Sequence, residues 1–384
     1  MTSVAHVITS LDVGGAERAL THVAAGLRRR GVRQLVVSLL PPGRTARTLE
    51  EIGVPVHGLD LRPDAPLRSG VALAGLVGLL RRARPDVVQT WMYHADLLGG
   101  TAARLAGVEA VAWNVRHADL PLEGYGRSTA AIGRLSVPAS RVVPRLIVTN
   151  SLAAREAHAA RGYPRERMRV IPNGVAGPAR AGLTRTAARH VLGLRHEAPV
   201  VGHVGRFHDQ KDYPTLLRAA REVLDRVPDV RFALVGEGLE SENATLVTWI
   251  RDAGVERAVH LCGPRADASR LPVAFDVAVS SSAYGEACPN TLLEAMVLGT
   301  PVVTTDVGDS GRVVGTSGVV VPPRRASSLA QAVASLLQRG PEERARLGLL
   351  ARRRVEEHDS LAAMVDGYEA VYRELRDPSK PASV

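Results

Sequence analysis

The chain has 384 residues, 45% of them hydrophobic and 3% aromatic, with 36 glycines and 24 prolines. That length and balance predict a two-domain globular α/β protein and exclude a disordered or fibrous one. The formal charge of +10 comes almost wholly from arginine, since Lys211 and Lys380 are the two lysines; the bias fits GC-rich coding, and with so few aromatics and scattered basic residues it excludes nucleic acid as a partner.

In chain order, Val4–Ile8 reads as a buried strand, followed by Gly14-Gly15 and a helix from Ala16 to Arg30 with apolar residues at helical spacing and Gly31 as its stop. Strand, glycine pair and helix can bring backbone N–H groups to an anion, or can be a plain tight turn. Short strands are predicted at Leu35–Leu40, Val54–Leu59, Val87–Thr90, Ala110–Trp113, Leu146–Thr149 and Arg169–Gly174, with helical patterns between most of them. Such alternation implies a parallel sheet covered on both faces, whose ligands collect beyond the carboxyl ends of the strands. His117 follows one of these strands, where it reads either as a crevice residue or as an exposed loop histidine. Arg127, Arg134, Arg141 and Arg145 recur at about one or two helical turns, which suits a basic element at a membrane surface or a solvated helix face.

The breaker-rich stretch Gly177–Gly182 reads as a linker. A second α/β unit follows, with strands at Pro199–Val204, Arg231–Val235, Val259–Cys262, Asp276–Val279 and Pro301–Val303, and helices near Ser327–Leu337, Pro341–Glu356 and Leu361–Leu375. Arg206 and Lys211 share the first loop of this unit. Glu286 and Glu294, with seven residues between them, flank a predicted helix start at Pro289, and either approach one crevice or pair by coincidence. No Asp-x-Asp motif and no Cys/His cluster with ligand spacing occurs, so no metal is indicated and fixed cations are the alternative for holding a diphosphate. Cys262 and Cys288 are too few for a disulfide framework and fit a reducing compartment. The longest apolar run, Val71–Leu80, falls short of the ~20 residues of a membrane span, and the N-terminus does not read as a signal peptide. A cytoplasmic protein is expected, with peripheral contact at the inner face of the membrane left open.

The ordered set Gly14-Gly15-Ala16-Glu17, Ile171-Pro172-Asn173-Gly174, Val204-Gly205-Arg206 with Lys211-Asp212, Leu234-Val235-Gly236-Glu237-Gly238 and Glu286-Ala-Cys-Pro-Asn-Thr-Leu-Leu-Glu294 spans nearly the whole chain. It resembles the retaining family-4 glycosyltransferases. The resemblance implies the GT-B fold, with two Rossmann-like doubly wound domains facing across a cleft. The first, 1–180, would bind the acceptor, with the helix 359–376 packing back on it; the second, 181–358, would bind the nucleotide-sugar donor. Arg206 and Lys211 would hold the diphosphate, Glu294 the ribose and Glu286 the transferred sugar. Ala287, Cys288, Pro289, Asn290 and Thr291 would seat sugar and phosphate. Gly205, Gly14 and Gly15 would approach the phosphates, Arg265 would border the base and His117 the sugar. The reaction implied needs no cofactor beyond the donor, expected to be a UDP-sugar, and serves a glycan, lipid-linked or small-molecule acceptor in cell-envelope polysaccharide or glycoconjugate synthesis. Ala287-Cys288 replaces the Gly-Phe usual after the first glutamate of this signature. The alternatives are a nucleotide-sugar epimerase of the same shape, or an NAD-dependent oxidoreductase, for which Gly236-Glu237-Gly238 lacks the third glycine.

Overall fold

The computed structural model describes residues 2–12, 14–61, 66–118, 127–177, 183–194 and 197–377. The chain divides into two compact units, one of Met1–Gly174 with Leu361–Val384, the other of Val175–Ser360. It therefore passes between them twice. On the side of the second unit the two passages lie together, Val175 N–H donating to Asp359 O at 3.0 Å and Val175 bridging Ser360 in parallel.

The first unit has strands β1 (Ser3–Ile8), β2 (Arg33–Ser38), β3 (Val56–Gly58), β4 (Val87–Trp91), β5 (Val111–Val115), β6 (Leu146–Thr149) and β7 (Met168–Val170). They form one parallel sheet in the order β3-β2-β1-β4-β5-β6-β7. Both faces of β4 and β5 are buried, which is why they read as unbroken apolar runs rather than alternating ones. The helix Gly15–Arg29 buries Ala19, Leu20, Val23, Ala24 and Leu27 on one side. Against it lies the helix Leu361–Arg376, with Met364, Val365, Tyr368, Val371, Tyr372 and Leu375 buried at helical spacing. The two helices approach closely at Gly26, where a β-carbon would fall 2.3 Å from Val365 Cγ2. The Tyr368 ring stacks on Trp91 with centroids 5.5 Å apart.

The second unit has β8 (Val200–Val204), β9 (Arg231–Val235), β10 (Val259–Leu261), β11 (Val277–Ser280), β12 (Val302–Thr305) and β13 (Val319–Val321). Their parallel order is β10-β9-β8-β11-β12-β13. In each unit the order reverses beside the first strand, between β1 and β4 and between β8 and β11. Loops leaving the two strands at such a reversal diverge and open a crevice at their carboxyl ends.

The structure adds β13, which is three residues between Gly318 and Pro322 and too short for a periodic signal, and the polar helix Arg44–Glu51, which buries only Ala46 and Leu49. Pro289 is not the first residue of its helix, which runs Asn290–Val297; it is the cap before it, with an extended ψ of 105°. The arginine-rich stretch falls in part on residues 119–126, outside those described. Its helix, Arg127–Ala139, exposes Arg134 and Leu135 while Ile132 and Val137 pack on the core. No helix among the described residues is long and apolar enough to cross a membrane.

Candidate active site

Two loops meet at the strand-order reversal of the second unit. The first leaves β8 as Gly205–Asp212. Gly205 N–H donates to Val235 O at 2.9 Å and Phe207 N–H to Glu237 O at 2.7 Å, which ties this loop to the one after β9. The crossing requires glycine at 236, where φ is +146° and a β-carbon would lie 2.0 Å from Gly205 O. Tyr213 Oη donates to Arg206 O at 3.1 Å. Asp212 is left-handed at φ +50° and caps the next helix by accepting from Thr215 N–H at 3.2 Å. A non-glycine residue in that conformation stores strain of about 1–3 kcal/mol. It sets the chain direction immediately after Lys211.

The second loop leaves β11 as Ser281–Pro289 and is stitched to the first. Ser281 Oγ donates to Lys211 O at 2.6 Å, and Ala283 N–H to Gln210 O at 2.8 Å. Lys211 and Glu286, 75 residues apart in sequence, form an ion pair at 2.5 Å from Nζ to Oε1, and Ser282 Oγ donates to the same oxygen at 2.7 Å. The side chains of Lys211 and Glu286 are 15% and 9% exposed. A third segment braces the second loop from below: Thr305 Oγ1 donates to Ser282 O at 2.6 Å, and Asp309 N–H to Ala287 O at 3.0 Å. Gly308, at φ +59°, passes so close that a β-carbon would lie 1.7 Å from Glu286 O.

Arg206 is exposed on the first loop, and its guanidinium has no partner among the described residues. Ala287 and Cys288 are buried, and the Cys288 side chain lies within the apolar cluster of Leu292 and Leu293, facing the core. Asn290 and Thr291 open the helix half-buried, and Glu294 lies buried one turn in. Arg265, in the loop after β10, is engaged by Asp267 through Nε–Oδ1 at 3.0 Å and Nη2–Oδ2 at 3.2 Å. That guanidinium holds the Asp267 carboxyl below its usual range.

His203 on β8 escaped the sequence reading because it sits inside an apolar strand. Its Nδ1 lies 3.1 Å from Val279 O, which can only accept, so Nδ1 carries the proton. Nε2 is buried without a partner among the described residues, 3.0 Å from where a β-carbon on Gly205 would stand. Burial first, then the nearby Lys211 cation, push its pKa down to about 4, so the ring stays neutral beneath the ion pair.

In the first unit, Gly14 is the extended cap of the helix Gly15–Arg29 and Gly15 is its first residue, exposed at the carboxyl end of β1. A β-carbon at Gly14 would lie 2.3 Å from Glu17 Oε2. Burial raises the Glu17 pKa. His117 is exposed two residues beyond β5, its ring stacked near Tyr93 with centroids 6.5 Å apart. Arg116 beside it is buried, donates to Asn173 Oδ1 and Tyr368 Oη, and lies over the Trp91 ring at 5.7 Å. Among the described residues no group of three or more His, Cys, Asp or Glu is placed to hold a metal ion.

Two doubly wound units, with parallel sheets of seven and six strands, are the architecture of the GT-B fold. The chain belongs to the glycosyltransferases. The family model described as "Glycosyltransferase Family 4" matches residues 13–176, and that described as "Glycosyl transferases group 1" matches residues 198–339. The chain is 31% identical to the lipopolysaccharide core biosynthesis glycosyltransferase LpsE of Rhizobium meliloti (strain 1021), over 76% of each chain. It is 30% identical to the 2-deoxystreptamine N-acetyl-D-glucosaminyltransferase of Streptomyces fradiae, over 83% of this chain and 82% of that one. A crystal structure of Anabaena Alr3699/HepE in complex with UDP superposes with a TM-score of 0.81 at 23% identity, covering 96% of this chain and 98% of that one.

Proposed function

We propose that the chain transfers a sugar from a uridine diphosphate sugar to a hydroxyl of a saccharide, lipid-linked or small-molecule acceptor, with retention at the anomeric carbon and without a metal ion. The observation that carries this reading is the Lys211–Glu286 pair at the switch point, with Arg206 on the same loop as Lys211 and its guanidinium without a partner among the described residues. The leaving diphosphate gains charge in the transition state, and preorganised cations stabilise charge most where it develops. In this reading Arg206 and Lys211 meet the diphosphate, Glu286 accepts from hydroxyls of the sugar and Glu294 from those of the ribose. The second unit is then the donor side, and the first the acceptor side. The UDP complex of Alr3699/HepE supports uridine as the base. LpsE and the S. fradiae enzyme support a glycan or other hydroxyl-bearing acceptor, the former in envelope synthesis.

A thermal-shift screen of UDP-, GDP- and ADP-sugars tests the donor, because a ligand at 100 times its Kd stabilises by about 2.7 kcal/mol. Donor turnover is then followed by nucleoside diphosphate release with EDTA present, and the product anomer is read by NMR. Stabilisation by UDP-sugars alone, turnover in EDTA and a retained anomer are expected. Absence of any sugar-nucleotide response refutes the donor assignment; loss of turnover in EDTA, restored by magnesium, refutes metal independence.

A further inference from the structure

The geometry around Glu286 bears on which nucleotide the donor site keeps, and the argument rests on the reading that Lys211 takes the diphosphate. Glu286 Oε1 receives both Lys211 Nζ and Ser282 Oγ, in a spot where ammonium and carboxylate are largely shielded from water. Any phosphate brought against Lys211 is thereby brought within roughly two hydrogen-bond lengths of a carboxylate. Like charges repel most where water is thin. An ionised carboxylate only accepts hydrogen bonds, and sugar hydroxyls can donate to it and offset its charge. A bare nucleoside diphosphate brings negative charge and no sugar hydroxyl on that side.

We propose that Glu286 makes the site discriminate intact sugar nucleotide from free nucleoside diphosphate, so that product is held less tightly once the sugar has gone, and that Ser282 is the positioning residue that keeps the carboxylate beside Lys211. Ser282 suits that role. It is 1% exposed, directly follows the Ser281 hydroxyl that holds Lys211 O, and has its own carbonyl fixed by Thr305 Oγ1 at 2.6 Å. The hydroxyl has one proton to donate, and it goes to Glu286 Oε1. The discriminating charge is thus fixed from three sides, by the strand end, by the Thr305 brace and by the ion pair.

The test is calorimetric titration of UDP, UDP-glucose, UDP-galactose and UDP-N-acetylglucosamine into the full-length wild type and the variants E286Q, E286A, S282A and K211A, each checked for folding by thermal unfolding. E286Q is expected to bind UDP about ten-fold tighter than wild type and to lose the preference for the sugar nucleotide. E286A serves as the second variant, removing the charge without leaving an amide in its place. S282A keeps the charge, so UDP affinity is expected to stay within about two-fold while, in steady-state nucleoside diphosphate release, KM for the sugar nucleotide rises more than kcat falls. If E286Q and E286A bind UDP no tighter than wild type, the inference is overturned; the diphosphate role of Lys211 still stands if K211A has lost UDP affinity. If S282A leaves KM unchanged, the positioning role of Ser282 is overturned. If wild type binds none of the four nucleotides, the donor assignment falls, and this inference with it.

Discussion

Gly308→Ala is the sharpest probe of how the Glu286 loop is held. The added methyl sits in a left-handed residue at φ +59°, which costs about 1–2 kcal/mol for any residue with a β-carbon. It also lands 1.7 Å from Glu286 O, far inside contact distance. The obstacle is a backbone carbonyl, so no side chain can swing aside; the loop itself must retreat by more than an ångström. That retreat strains the Asp309 N–H to Ala287 O bond, worth about 0.5–1.5 kcal/mol net. Together these come to about 1.5–3.5 kcal/mol. For a unit of this size each kcal/mol moves Tm by about 2–4 °C, so a fall of roughly 3–14 °C is expected. Activity is the more sensitive readout, since an ångström of misplacement can cost about 100-fold. Differential scanning calorimetry and nucleoside diphosphate release measure the two effects. A Gly308→Ala protein with Tm unmoved and kcat/KM within about two-fold of wild type would refute the brace.

Further outcomes follow from other parts of the structure. Lys211→Ala is expected to lower kcat by about 100-fold or more, and Glu294→Ala chiefly to raise donor KM; steady-state kinetics separate the two, and wild-type turnover without Lys211 sinks its diphosphate role. Asp276→Ala strips one carboxylate from Arg185, Arg189 and Arg344 and from Val200 N–H, leaving the 4%-exposed Arg189 without its carboxylate. A loss of about 3–5 kcal/mol in denaturant unfolding is expected; a change under 1 kcal/mol contradicts it. His6 and His203 are both held near pKa 4 by burial, below the ordinary 6.5. The folded protein keeps them neutral while the unfolded chain takes up protons, so their stabilisation is complete above pH 6.5 and is lost as pH falls towards 4. About 1–2 kcal/mol per histidine is expected to go by pH 5; a Tm unchanged between pH 7 and 5 counts against the assignment.

The alternating architecture was legible because parallel strands buried on both faces leave plain apolar runs between amphipathic helices, as at β4, β5, β9 and β11. β13 was not, because three valines between Gly318 and Pro322 carry no period. The candidate residues of the second unit were legible as a set of loop positions, and Arg206, Lys211 and Glu286 do lie on loops that leave the two strands flanking the switch point. Their physical relation was not. That Lys211 and Glu286 touch depends on strand order, which brings β11 beside β8 across 75 residues. Ser282, Gly308 and Thr305 were invisible for the same reason: a serine, a glycine and a threonine acquire a role only from what passes within 3 Å of them. His203 showed as one polar letter in an apolar strand, a signal with meaning only once Gly205 and Lys211 are known to lie above it.

The two passages of the chain between units have a consequence for synthesis. The sheet of the first unit is complete in sequence by β7, yet the helix packed with Trp91, Leu20 and Val23 is Leu361–Arg376, which follows the whole second unit in sequence. At roughly 5–20 residues per second the ribosome needs on the order of ten seconds or more to reach it. The second unit, continuous from Val175 to Ser360, can close first. The second unit can thus be complete before the first has its covering helix. The nascent first half waits with an apolar face uncovered, an interval in which a chaperone has something to bind, and a stop codon before residue 361 strands it there.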